Sequence, residues 1–285
     1  MLTRTLFVSL ALLMVASVSG WSYQLEIKDK PGVTRTYRLE LHEAGHATYA
    51  GKRPLNLNMK ASFLAKEQVR SVNGGVASVA FSATDFLFSG NVLGKTAANV
   101  QIPSLHYTFD RTPQGKVSNV QVADGQKDLL ARLKARGYHL DNNGTSIPMY
   151  QQMNFPITAM SIGDGWGMKL DTHLLGMHLN AKAQNTLVGE RVINGKKYVQ
   201  INGNIDMAIP MSALDVPGNA DASTVDLAMR LTGKAYTLFD VDAGEIYRST
   251  FSGEISVGLV GKKFGGKKER IGGKFNMQII MQKVD

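Results

Sequence analysis

Side chains in the second half of this chain change from apolar to polar at every step. Val199, Ile201, Gly203, Ile205, Met207 and Ile209 fall on one face of an extended segment, with Gln200, Asn202, Asn204 and Asp206 on the other. Val225, Leu227, Met229 and Leu231 repeat the arrangement, as do Phe251 with Ile255, Val257 and Leu259. Phe275, Met277, Ile279 and Met281 repeat it again, and so do Leu57, Met59, Ala61 and Phe63 near the start. A period of two with one packed and one wet face is the mark of antiparallel sheet. Turn signals sit between these runs: Asn73-Gly74, Asn142-Asn143-Gly144, Asn194-Gly195 and Asp242-Ala243-Gly244.

The order of parts occurs twice. A strand over 57–65 leads through Asn73-Gly74 to a strand over 76–83, then to Tyr107-Thr108-Phe109-Asp110 with Gly115 after it. Residues 179–188 lead through Asn194-Gly195 to 197–209, then to Tyr236-Thr237-Leu238-Phe239-Asp240 with Gly244 after it. In each case we expect a strand, an Asp that bonds the turn backbone, and a Gly at positive φ. Residues 21–285 are accordingly expected as a single β-rich domain, with duplicated halves 21–155 and 156–285 as an alternative within it.

Only the middle departs from the rhythm. Residues 128–136 (DLLARLKAR) have helical spacing, a basic last turn and Gly137 as a C-cap. A second short helix is expected from Pro148 to Met153. The fold class that follows is α+β, dominated by β. It is a long, curved antiparallel sheet, an incomplete or half barrel, with one or two central helices packed on its concave face.

Residues 1–20 have the build of a secretory signal peptide. Arg4 supplies the positive charge, Leu6 to Val18 the apolar run, and Ser17 to Gly20 the small residues for cleavage. The expected location is periplasmic or extracellular, with the mature chain starting near Trp21. There is no cysteine, so packing alone must hold an exported fold together. Loss of Arg4 from 32 Lys+Arg, set against 23 Asp+Glu, leaves a net charge of +8. That excess favours lipid head groups or another anionic envelope component, and export argues against nucleic acid. No later apolar run is long enough to span a membrane as a helix, and nothing sets an oligomeric state.

His42-Glu43-Ala44-Gly45-His46 matches the H-E-x-x-H pattern, which on a helix brings two imidazoles and a general base to one zinc ion. The residues before it, Tyr37 to Leu41, alternate as a strand. Gly45 then reads as a hairpin turn, with Ala47-Thr48-Tyr49 starting the return. A metal held by His42 and His46, and hence a zinc peptidase, is the alternative rather than the expected reading. Asp171, His173 and His178 offer a second set, but on one continuous strand His178 would face away from the other two. No nucleophile elbow, Walker loop or dinucleotide fingerprint is present, and the carboxylates look scattered. Neither catalytic residues nor a cofactor are expected.

Two features suit a binding role. Residues 261–274 hold six cations and five glycines, so Lys262, Lys263, Lys267, Lys268 and Arg270 are candidates for contact with an anionic surface. Thirteen methionines are present, many on apolar faces in the second half. Met153, Met207, Met229, Met277 and Met281 are candidates to line a site that adapts to acyl chains.

The segment Phe155-Pro156 through Ile162-Gly163-Asp164-Gly165-Trp166 resembles a signature, V/I-G-D-x-W, of exported bacterial β-rich proteins of uncharacterised role. In those proteins it opens the second half of the domain. The later Phe239-Asp240 with Gly244 fits the same order, so the resemblance spans most of residues 21–285. Such proteins are broadly similar to LolA/LppX-type half-barrels, which cradle lipid between a curved sheet and covering helices. Many are lipoproteins, and this chain departs from them in lacking the lipobox cysteine. The resemblance implies a non-enzymatic protein that binds lipid or another apolar ligand at the cell envelope. A structural or adhesion module of the envelope is the alternative.

Overall fold

Alternating side chains give each segment one face to bury, and long antiparallel strands are the result. A computed structural model describes residues 22–49, 55–92, 95–102, 104–123, 153–174, 177–210, 225–261 and 270–284. Fourteen strands run in order: β1 Ser22–Tyr23, β2 Thr34–Tyr49, β3 Leu55–Asn73, β4 Val76–Val92, β5 Lys95–Ile102, β6 Leu105–Arg111, β7 Val117–Val122, β8 Met160–Ser161, β9 Gly165–Leu174, β10 Met177–Ile193, β11 Lys196–Pro210, β12 Val225–Asp240, β13 Glu245–Gly261 and β14 Arg270–Val284. Among the described residues there is no helix, and so none long and apolar enough to cross a membrane. The helices expected near 128–136 and 148–153 lie outside the described residues, except for Met153. The signal segment and Asn142-Asn143-Gly144 also lie outside them.

Twelve strands form one antiparallel sheet in the order β7-β6-β4-β3-β2-β14-β13-β12-β11-β10-β9, with β5 paired to the far part of β4. The two outer strands do not meet, so the sheet is open rather than a closed barrel. Every pair is between strands adjacent along the chain except β4 with β6, which passes over β5, and β2 with β14. β2 and β14 pair from Thr36 with Val284 to Tyr49 with Ile271, and this ladder joins the two runs of strands.

The strands are longer than the alternation alone suggests, because glycines interrupt the pattern without ending it. Gly45 is the clearest correction: β2 passes straight through it, and no turn occurs there. A Cβ on Gly45 would lie 2.7 Å from the Phe275 ring and 2.2 Å from the Lys274 carbonyl. Gly is present because β14 and its Phe275 come so close, not because the chain reverses. The hairpin between β3 and β4 is likewise shifted by one residue from the expected Asn73-Gly74. Gly74 (φ 56°) and Gly75 (φ 81°) form the two-residue loop, matching Asn194 (φ 51°) and Gly195 (φ 77°) between β10 and β11.

The core sits at the end of the sheet marked by these two hairpins. Leu25, Val69, Val79, Phe109, Leu187, Val199 and Phe239 are among its deepest side chains. Residues 22–30 lace this end together. Tyr23 pairs with Met160, Ile27 N–H donates to the Pro113 carbonyl at 2.6 Å, and Lys28 N–H donates to the Gly244 carbonyl at 3.1 Å. Phe155 N–H donates to Gln114 O at 2.7 Å from the opposite side.

Candidate functional site

The two Asp–Gly turns differ in how they are made. Asp240 Oδ1 accepts from Ala243 N–H at 2.9 Å, with Gly244 at φ 65°, as the sequence suggests. Asp110 does not bond its turn; it accepts from the Asn119 amide at 2.7 Å, and Thr112 holds that turn instead. The Gly163-Asp164-Gly165-Trp166 segment is a turn followed by an anchor. Asp164 Oδ2 accepts from Ser161 N–H at 2.8 Å, and Gly163 and Asp164 exchange backbone bonds with Leu187 on β10. Trp166 is buried beside Phe155, whose ring meets Phe239 edge-on at 4.8 Å.

Strands β9 to β14 together line an apolar cavity of about 150 Å³. Its walls come from Met168 on β9, Ala183 on β10, Ile201 and Ile205 on β11, Leu231 and Ala235 on β12, Phe251 on β13, and Met277, Ile279 and Met281 on β14. Strands β9 and β14 are five positions apart, roughly 24 Å in a flat sheet, so the sheet must curl for both to face one cavity of this size. The polar atoms in the wall are few, and Thr237 and Ser249 satisfy each other at 2.9 Å. A pocket of this volume with mainly aliphatic walls has room for small apolar groups.

Met153, Met277 and Met281 line the cavity. Met207 is buried two residues beyond Ile205 and is not part of the lining. Met229 is paired with Ile209 and Val257 in the ladder. Ile201, Ile205, Leu231, Phe251 and Ile279 belong to the packed faces read from the alternation, but only methionines were expected to line a site.

Closing the cavity at the laced end is a cluster of charges that sequence reading missed. Carboxylates expected to be scattered converge here. Asp29 accepts from Arg35 at 2.5 Å and from Arg111 at 3.0 Å. Arg111 also reaches Glu67 at 2.8 Å; Arg35 reaches Glu245 at 3.2 Å, and Lys283 reaches Glu245 at 2.6 Å. Burial pushes the Asp29 carboxyl up, but the Arg111 and Arg35 guanidiniums outweigh it and hold it below the usual range. Burial likewise raises the Tyr37 hydroxyl, and Glu67 adds to that. A signal was present: Arg35, Glu67 and Arg111 each occupy an inward position otherwise reserved for apolar side chains. Three acids face three bases, so the formal charges of the cluster cancel.

The H-E-x-x-H residues fall on strand β2, with His42 and His46 on the outer face and Glu43 on the inner. Residues four apart on a strand are about 13 Å from one another, too far to share an ion bound at about 2 Å from each nitrogen. His42 Nε2 lies 3.9 Å from Glu40. Among the described residues no three His, Asp or Glu side chains could hold a metal. The β9–β10 hairpin corrects a different expectation: Asp171, His173 and His178 do not lie on one continuous strand, and His178 pairs with His173 in the ladder. Lys262, Lys263, Lys267 and Lys268 lie outside the described residues, and Arg270 begins β14 opposite Val260.

Neither a protein-family model nor a curated protein matches the sequence. Among solved structures, the chain is similar to Salmonella typhi OmpF in complex with daunomycin, at 7% identity and a TM-score of 0.26, covering 88% of this chain and 99% of that one. It is also similar to a loop L8 deletion mutant of OmpT, an outer membrane protein of Vibrio cholerae, at 9% identity and a TM-score of 0.18, covering 88% and 100%. Neither likeness bears on the reading of the site.

Proposed function

We propose that this protein is an exported, non-enzymatic binder of lipid or another apolar ligand, held on the inner face of the curled sheet. The cavity of about 150 Å³ carries this reading. Six consecutive strands turn aliphatic, aromatic and methionine side chains toward it, and a neutral ion cluster seals one end. Methionines give such a wall the plasticity to fit chains of varied shape. The half-exposed apolar residues Leu41, Leu57, Met59 and Phe275 extend the same face beyond the cavity. Periplasmic or extracellular location, contact of the basic 262–270 segment with an anionic surface, and descent of the two runs of strands from one duplicated unit belong to the same proposal.

Mass spectrometry of solvent extracts from natively purified protein tests the reading directly. A stoichiometric amphiphile is the expected result. Protein free of lipid that also fails to take up a fluorescent acyl probe would sink it, and would favour a structural or adhesion module instead.

A further inference from the structure

Glu43 stands where the pattern calls for an aliphatic side chain. Along the inner face of β2, Leu39 and Leu41 precede it and Gly45, covered by the Phe275 ring, follows it. Its ladder partners are Met59 on β3 and Met277 on β14. Met277 lines the apolar cavity, which places Glu43 at the rim. The cavity extends from there along β14 to Met281 at the closed end, roughly 14 Å for four residues of strand.

Among the described residues no side chain bonds this carboxyl or faces it with charge. Burial alone raises its affinity for a proton. His42, its neighbour in the chain, is on the opposite face of the sheet. A half-buried carboxyl in an apolar wall costs desolvation free energy that no described group offsets. A polar group of that kind, at the mouth of a site, is placed to meet a polar group of the ligand.

We infer that Glu43 selects an amphiphile whose head group donates a hydrogen bond, a primary amine or an alcohol, with its alkyl chain running toward Met281. The inference rests on the lipid-binding reading above and specifies its ligand. An anionic head group would meet the carboxylate as a like charge, with no described cation beside it on the inner face. One of the two acids would then have to be protonated for binding.

The test compares decylamine, 1-decanol and decanoate, below their aggregation limits and at about 0.15 M salt, where long-range attraction and repulsion are screened. Displacement of a fluorescent acyl probe gives the affinities. The native protein should bind decylamine about tenfold more tightly than decanoate, the worth of one charge-assisted hydrogen bond. Glu43→Leu should erase that ratio while still binding the alkyl chain. Glu43→Gln should keep 1-decanol and lose the advantage of the amine. Circular dichroism confirms that each variant folds. Equal binding of amine and carboxylate, or a ratio unchanged in Glu43→Leu, would overturn the role of Glu43 alone. Failure of all three compounds to bind would overturn the lipid reading with it.

Discussion

Asp29 receives two hydrogen bonds from Arg111, both at 3.0 Å, while the same carboxylate bonds Arg35. Asp29 lies on the segment that laces the closed end, and the two arginines come from β2 and β6. One acid therefore ties three separate pieces of chain. Removing Arg111 would leave Asp29 and Glu67 buried with too little positive charge beside them. Arg111→Met should cost about 3–5 kcal/mol, since breaking a buried pair exposes an uncompensated charge. Urea unfolding of the two proteins measures it, and a loss under about 1 kcal/mol would show that the cluster relaxes or admits water.

The same cluster sets an acid limit. Asp29 is held below its ordinary value in the folded protein, so its stabilising contribution is complete at neutral pH and above the unfolded carboxyl range of about 4. It is lost as pH falls through the depressed folded value. Thermal melts should show stability dropping below about pH 4. Asp29→Asn should be less stable at pH 7 and flatter across the acid range. Parallel profiles for the two proteins would contradict the assignment.

Gly244 combines a backbone constraint with a spatial one. Its φ is 65°, and an added Cβ would lie 2.4 Å from the Lys28 amide nitrogen and 2.5 Å from Lys28 Cβ. Strain in the left-handed region costs about 1–3 kcal/mol, and the displaced Lys28 strand adds to it. Gly244→Ala should therefore destabilise by more than about 2 kcal/mol. Gly195→Ala, also at positive φ but with no atom near its Cβ, should cost less.

Filling the cavity should separate binding from folding. Ala235 lines it from β12, and a larger ring there has space to enter. Ala235→Phe should lower affinity for an acyl probe by at least about tenfold, while the melting temperature holds or rises. Unchanged probe binding would place the ligand elsewhere.

His42 and His46 should be dispensable for the fold. Both sit on the wet face, and the double change His42→Ala, His46→Ala should alter stability by no more than about 0.5 kcal/mol. A zinc chelator should leave the melting curve of the native protein unmoved. A large shift on chelation would mean that the metal-binding alternative had been set aside wrongly.

How much of this was legible in advance depended on which physical signal each residue carried. Alternation exposed the strands and their inward faces, because side-chain direction in a strand depends only on position along it. Strand ends were harder. Gly45 read as a turn, yet it allows a neighbouring ring to come close: Phe275 covers Gly45 as Phe251 covers Gly233 and Gly253. A glycine kept for close approach looks, in one dimension, like a glycine kept for a turn. The buried cluster of Asp29, Arg35, Glu67, Arg111 and Glu245 was hidden for another reason. Its members are up to 216 positions apart, and Glu245 on β13 comes to Arg35 on β2 through β14, which pairs with both strands. Methionines stood out by type, whereas Ile201, Leu231 and Ile279 carry the same cavity wall without any unusual composition to mark them.

The ladder between β2 and β14 has a kinetic meaning. Its partners lie more than 200 positions apart, as Thr36 and Val284 show, so it closes the largest loop in the molecule. Contacts between remote positions form slowly, because chain entropy is lost before they repay it. Until that seam zips, two partial sheets expose the unsatisfied amides and carbonyls of two central strands, which other chains can capture. Refolding yield should therefore depend steeply on protein concentration, with the seam between β2 and β14 as the rate-limiting closure.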